Sequence, residues 1–451
     1  MAQYRKDTQT IDDSPQRYEM VMLADKWGNQ ISDNKSTGID AFGRQRVTNP
    51  YTLFDSQNRY SINSKFSSFV SSSSGATGFM GATGVSSSFV SYLTNESAVD
   101  LNIGTGSGDY IIRESKHVFP YQPGKSLSIM STFVMNTQKT NVRQRVGYFG
   151  DKNGIYFEND GTGNYFVLRT TSGGITGSTS GAVYNKRVSQ ADWNVDKFDG
   201  TDDSLRTLDI TKANIFFIDI EWLGVGDVRV GFVVDGIMRV AHIFHNDNLN
   251  TTSYMTTACL PIRYEIENTG VSASASTMKQ ICSTVLSEGG YELTGVSYSA
   301  ANGVPSYQTL GNAGDFSPSI SLRLNSSYLD QIAVISEIAI LMQSNTNMQY
   351  KLLLNPTSLT NGGTLTWTNS QSGKLQYNTD ATAFTGGTEL LSGFLTNGQT
   401  ITTSNLNIQL GRTVADSTRS ISGISDVITL VVSSFNANSK VATLLGWSEL
   451  I

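Results

Sequence analysis

The sequence predicts an all-β chain: a jelly-roll-like antiparallel β-sandwich, then a second, smaller β-sandwich or barrel, with an extended N-terminal arm in front. Period-two alternation of apolar and polar residues, bounded by Gly, Asn and Asp, runs through residues 110–300. No stretch of comparable length shows sustained helical periodicity; the best short candidates, Leu329–Leu341 and 277–287, read equally well as strands. The composition agrees. Only 16% of the 451 residues are charged, with Ser, Thr, Asn and Gly in their place, yet 19 Tyr, 20 Phe and 5 Trp are too many for a disordered chain.

Taken in order, residues 1–50 form the arm, a stretch of charges, Asn, Gln and Asp with few periodic apolar residues apart from Tyr18–Leu23. Aromatic density rises at Asn49-Pro50-Tyr51-Thr52-Leu53-Phe54, so the sandwich is expected over 51–305. Within it, 67–91 is a Ser/Gly/Ala/Thr tract with two GATG repeats, too few for a collagen-like helix, and reads as extended chain lying against another surface. The clearest strands lie in 215–245. Ile218, Ile220 and Trp222 share one face and Phe217, Asp219 and Glu221 the other; Gly224-Val225-Gly226-Asp227 turns the chain; Val228, Val230, Phe232 and Val234 form a second apolar face opposite Arg229 and Gly231. Asp235-Gly236 is a two-residue hairpin signal, because a type I′ turn needs positive φ at both central positions, and Ile237–Phe244 returns as a third strand.

Beyond residue 300 short strands recur: Gly363–Trp367, Lys374–Tyr377, Leu406–Leu410, Val427–Val432 and Val441–Leu445. They make the C-terminal β domain, 306–451.

Several functions are disfavoured at once. With 32 Lys+Arg against 38 Asp+Glu and no basic run longer than a pair, the chain is not expected to bind nucleic acid. No segment approaches 18 consecutive apolar residues and no apolar h-region follows Met1, so neither membrane insertion nor a cleaved signal is expected. Cys259 and Cys282 are too few for a disulfide framework and read as buried small residues. There is no G-x-S-x-G, P-loop or H-E-x-x-H; Gly104-Thr105-Gly106-Ser107-Gly108 lacks the β-α-β frame of a phosphate cradle. His242 and His245, with Asp247 behind them, point to opposite faces if the strand continues, and the acidic loop Asp192–Asp203 lacks the spacing of a Ca²⁺ loop, so no metal and no cofactor is expected.

The segment Phe217-Ile218-Asp219-Ile220-Glu221-Trp222-Leu223-Gly224 resembles the catalytic strand of the laminarinase and xyloglucan-transglycosylase family, which carries E-x-D-x-E on a jelly-roll strand. The resemblance implies that Asp219 supports a nucleophile and Glu221 is the acid/base, but Phe217 occupies the nucleophile's position and cannot bond a sugar. Asp219 and Glu221, about 6.6 Å apart along a strand, stay the catalytic candidates as an inverting pair. An ion pair or polar ladder with Arg229 is the preferred reading of both, and the chain is not expected to be an enzyme.

A wider set of segments, Ile39–Asp55, Phe119–Ser126, Asp219–Gly236, Leu260–Thr269 and Leu445–Ile451, resembles a family of virion structural proteins from tailed bacteriophages, especially large phages of marine bacteria and cyanobacteria. The resemblance implies a virion location, as a neck, tail, baseplate, fibre or head-surface component, with other virion proteins as partners and a homo-oligomeric state. Arg44, Arg46, Tyr51 and Phe54 are the candidate docking residues, since Arg and aromatics dominate interface energetics; the alternative is that they start the first strand. The competing reading is a carbohydrate-binding or degrading jelly roll acting on host surface glycans, or one that binds a host receptor. Surface Tyr, Trp and Asn serve sugar binding, core and subunit contacts equally.

Overall fold

The computed structural model describes residues 50–73, 87–292, 295–303, 305–343, 346–396, 401–412 and 424–450, with the short strands Arg5–Lys6, Val21–Met22 and Thr77–Phe79 given as backbone. The two short strands of the expected arm pair with each other; Arg44 and Arg46 lie outside the described residues.

The alternating segments form two eight-stranded antiparallel sheets packed face to face. The first runs, in spatial order, Tyr184–Ser189, Asn164–Thr170, Gly154–Asn159, Val142–Phe149, Ile262–Asn268, Tyr110–Ser115, Phe66–Ser71 and Thr77–Phe79. The second runs Ile237–Phe244, Val228–Val234, Asn214–Ile220, Leu127–Val134, Ser276–Ser287, Ala98–Ile103 and Phe89–Leu93, with Tyr51–Gln57 also paired to Ser276–Ser287. The order is that of a jelly roll: the strand at 262–268 sits between those at 142–149 and 110–115, far from its neighbours in sequence. The tract at 67–91 supplies strands to both sheets at its two ends.

The core lies between the sheets because each strand turns alternate residues inward. Val146, Phe157, Phe166 and Tyr264 meet Phe216, Ile218, Val230 and Phe232 there. Phe166 stacks on Trp193 at 4.1 Å and on Phe216 at 5.7 Å. Arg113 also points inward, donating to Gln280 and, at 3.0 Å, to Ser68; burial lowers its pKa to about 9. The hairpin at Asp235-Gly236 has φ of 53° and 76°, as its turn type requires. Cys259 and Cys282 are free thiols, half-buried where full burial was expected.

The second unit packs a five-stranded sheet on a six-stranded one around Ile320, Ile335, Leu352, Leu430 and Trp447. Both ambiguous segments are strands here, Ser276–Ser287 and Ile332–Met342. Val296–Asn302 already pairs with Lys440–Leu450, so the change from one set of sheets to the other falls between Ser287 and Val296, ahead of the expected 305. Gly363–Trp367 is not a strand; the Thr366 amide donates to the Asp380 carboxylate at 2.9 Å and Trp367 lies under the Arg323 guanidinium at 3.9 Å, leaving pairing to Thr368–Asn369. The two units meet through Val118, Ile332, Val334 and Leu450.

Candidate functional site

The outer face of the first sheet is built from charge. Since Val142, Val146 and Tyr148 face the core, Arg143, Arg145 and Gly147 face outward. Antiparallel register then sets Arg143 opposite Glu267, Arg145 opposite Glu265 and Gly147 opposite Arg263. On the other flank Arg145 faces Glu158 and Gly147 faces Tyr156, and Val167 between Tyr156 and Arg187 continues the row. Two cross-strand rows result, Glu265–Arg145–Glu158 and Arg263–Gly147–Tyr156.

Arg145 is the centre of this face. Its Nε donates to Glu158 at 2.7 Å and its Nη1 to Glu265 at 3.0 Å, with the three side chains 6%, 4% and 1% exposed. Glu265 is held on its other oxygen by Arg263 at 3.0 Å, and Glu158 by Arg187 at 2.7 Å. Burial opposes a charge on Arg145, but Glu265, Tyr156 and Glu158 more than offset it, so its pKa is raised. Burial raises that of Tyr156, against the pull of Arg169 and Arg145. The Tyr156 hydroxyl accepts from Arg169 Nη2 at 3.0 Å, and Arg169 is fixed further by Asn185 and the Gly150 carbonyl. Partial burial opposes ionisation of Asp160, yet hydrogen bonds from Thr162 and Arg187 bring its pKa down to about 2. Gly147 is required where it stands: a Cβ would meet the Ile155 carbonyl oxygen and the backbone of Tyr156.

Above this floor are two adjoining cavities, one of about 510 Å³ and one of about 350 Å³, which share Arg143, Arg145 and Asn185. The first extends to Lys152, Arg169 and Val183, the second to Asp160, Arg187 and Thr269. The cleft so formed has a rigid, paired floor and solvent-facing walls. Glu158 and Glu265 are each held between two guanidinium groups.

The residues singled out in the sequence lie elsewhere. Asp219 and Glu221 occupy the outer face of the opposite sheet, where Asp219 pairs in register with Arg229. Arg229 Nη1 lies 3.4 Å from Asp219 and 3.5 Å from Glu221, the expected ion-pair ladder. Phe54 is not a docking residue: it is 5% exposed and packs on Phe66 and Phe119, because its strand turns it into the core. Tyr51 is 45% exposed at the start of that strand and stacks on Tyr291 at 5.5 Å. The strand ends at Phe244, between His242 and His245, so the opposite-face argument does not reach His245, and the two rings take different partners. His242 accepts from the Asn194 amide, while His245 lies 2.9 Å from Asp227, in an exposed group with Asp247. The acidic loop caps its own backbone: Asp196 accepts from Phe198 and Ser204, Asp199 from Thr201 and Asp202 from Lys197.

The cleft residues escaped the sequence reading. Their one local signal is charge at period two inside otherwise apolar strands, Arg143-Gln144-Arg145 and Glu265-Ile266-Glu267.

No family model matches the sequence, and no curated protein matches it. Among solved structures, the chain is similar to a β-1,3-glucanase from Mycobacterium marinum at 10% identity, covering 53% of this chain and 100% of that one with a TM-score of 0.33. It is also similar to the alginate lyase AlyC3 (10% identity, 49% and 90% covered, TM-score 0.30) and to the carbohydrate recognition domain of Emp47p (9%, 54% and 99%, TM-score 0.30). At that identity and those scores the likeness bears on no residue of the cleft.

Proposed function

We propose that the chain is a carbohydrate-binding protein and that the cleft on the first sheet takes the glycan. The observation that carries this is the desolvated network Glu265–Arg145–Glu158 lying beneath two joined cavities on a face that an ordinary sandwich leaves to water. Burying three charges is costly, and a polar floor fixed in advance is what a hydroxyl-rich ligand needs for oriented hydrogen bonds. Glu158 and Glu265 are each already engaged by two guanidinium groups, which favours binding without glycosidic cleavage. The segments that resemble tailed-phage virion proteins support a setting, a particle protein whose sandwich meets a glycan on the host surface.

Glycan-array binding of the intact chain tests the reading, alongside Val183→Trp and Thr269→Trp, two exposed rim positions that fill one cavity each. Binding that either substitution abolishes supports it; absence of binding to any glycan removes it.

A further inference from the structure

We infer that the cleft selects glycans bearing a carboxylate on the sugar, a uronate or a sialate; this rests on the glycan-binding reading and names its ligand class. The glutamates beneath the cleft are buried and paired. Glu158, Glu265 and Glu267 are at most 4% exposed and already bonded to Arg145, Arg187, Arg263 or Arg143. Arg145, Arg169 and Arg263 are buried with them, but three cations reach outward: the Arg143 side chain is 30% and that of Arg187 39% exposed, and Lys152 is exposed on the cavity wall. Six cationic side chains line the two cavities against four anionic ones, in a chain whose net charge is −6.

Local charge therefore opposes global charge, and it does so on a sheet face that also has room for a ligand. Arg187 engages Glu158 and Asp160 through Nη2 alone and lies 4.0 Å above the Tyr165 ring. It lines the smaller cavity with the Tyr165 ring beneath it. A guanidinium at the cavity wall meets a sugar carboxylate through a charge-assisted hydrogen bond, stronger than the bond it makes to a neutral hydroxyl. Arg143 lines both cavities and Lys152 the larger, so successive acidic units along an oligosaccharide find a cation at each step.

The experiment is calorimetric titration of the intact chain with uronate oligosaccharides, sialyl oligosaccharides, a sulfated oligosaccharide and the carboxyl-reduced form of each acidic ligand. The expected result is that one carboxylated class binds at least about tenfold tighter than its own carboxyl-reduced form, with affinity falling as salt is raised and falling about tenfold in Arg187→Gln. The uronate and sialate arms decide the source of the carboxylate. Equal binding of the native and carboxyl-reduced ligands overturns the inference while leaving glycan binding intact, and because that comparison uses unaltered protein it does not depend on any variant folding. Tighter binding of the sulfated ligand overturns it too. Failure of every saccharide, acidic and neutral, removes both this inference and the reading beneath it.

Discussion

Arg412 of the C-terminal unit places Nη1 2.9 Å from the carboxylate of Glu114 in the first sheet, and both side chains are at most 1% exposed. Glu114 also lies 3.5 Å from Arg263, whose other nitrogen holds Glu265 and through it Arg145. A continuous line of buried charge therefore runs from the second unit to the centre of the cleft. The second unit is part of the cleft's support, since without Arg412 one carboxylate of the line loses a cation.

Arg412→Met should for that reason destabilise the protein by about 2–3 kcal/mol, because buried Glu114 loses its shorter ion pair and keeps only the longer one to Arg263. Arg412→Met with Glu114→Leu should recover most of the loss. Urea denaturation of the single and double variants measures both; a single variant within about 0.5 kcal/mol of wild type would show the pair to be energetically idle.

Acid should loosen the contact between the two units. His117 lies under Gly411 at this contact; burial drives its pKa down to about 4, although Asp426 acts the other way. Burial likewise lowers His242 to about 4. A histidine whose folded pKa is depressed binds its proton in the unfolded chain first. Stability is therefore intact above about pH 6.5 and falls as pH drops toward 4, by up to about 1.4 kcal/mol per pH unit for each histidine. His117→Gln should remove one proton's share of that slope in denaturation midpoints taken at steps from pH 7 to 4.5.

Phe166→Ala should cost about 3–5 kcal/mol, since it empties the centre of the aromatic core between the sheets. Trp193, which stacks on it, reports the loss directly as a change in fluorescence, in thermal melts and at equilibrium.

Glu221→Gln should leave glycan binding unchanged and alter stability by less than about 1 kcal/mol. Glu221 is part of a half-exposed ion pair with Arg229 on the far side of the sandwich. A loss of binding in this variant, measured by the same calorimetry, would return the functional face to the strand that resembles a glycosidase.

Much of the architecture was legible because its signals are local. Alternation across Ile215–Trp222 sets which residues enter the core, and Asp235-Gly236 sets its turn by φ alone. The cleft is not local. Arg145 and Glu265 are 120 positions apart and meet only because the strand at 262–268 inserts beside the one at 142–149, a matter of sheet order that no window of sequence contains. The carboxylates with a familiar spacing, Asp219 and Glu221, drew notice because their motif is contiguous, and sheet topology placed them on the opposite face. Phe54 misled for a related reason: an aromatic residue at the start of a domain has the same composition whether it anchors a partner or its own core.

The central claim is that the outer face of the first sheet is where ligand binds, and hydrogen exchange on the intact chain with and without a saturating glycan tests it most directly. The account predicts slowed exchange in Val142–Phe149, Gly154–Asn159 and Tyr184–Ser189, with Asn214–Val234 unchanged. Protection confined to Asn214–Val234, or to the C-terminal unit, would contradict it.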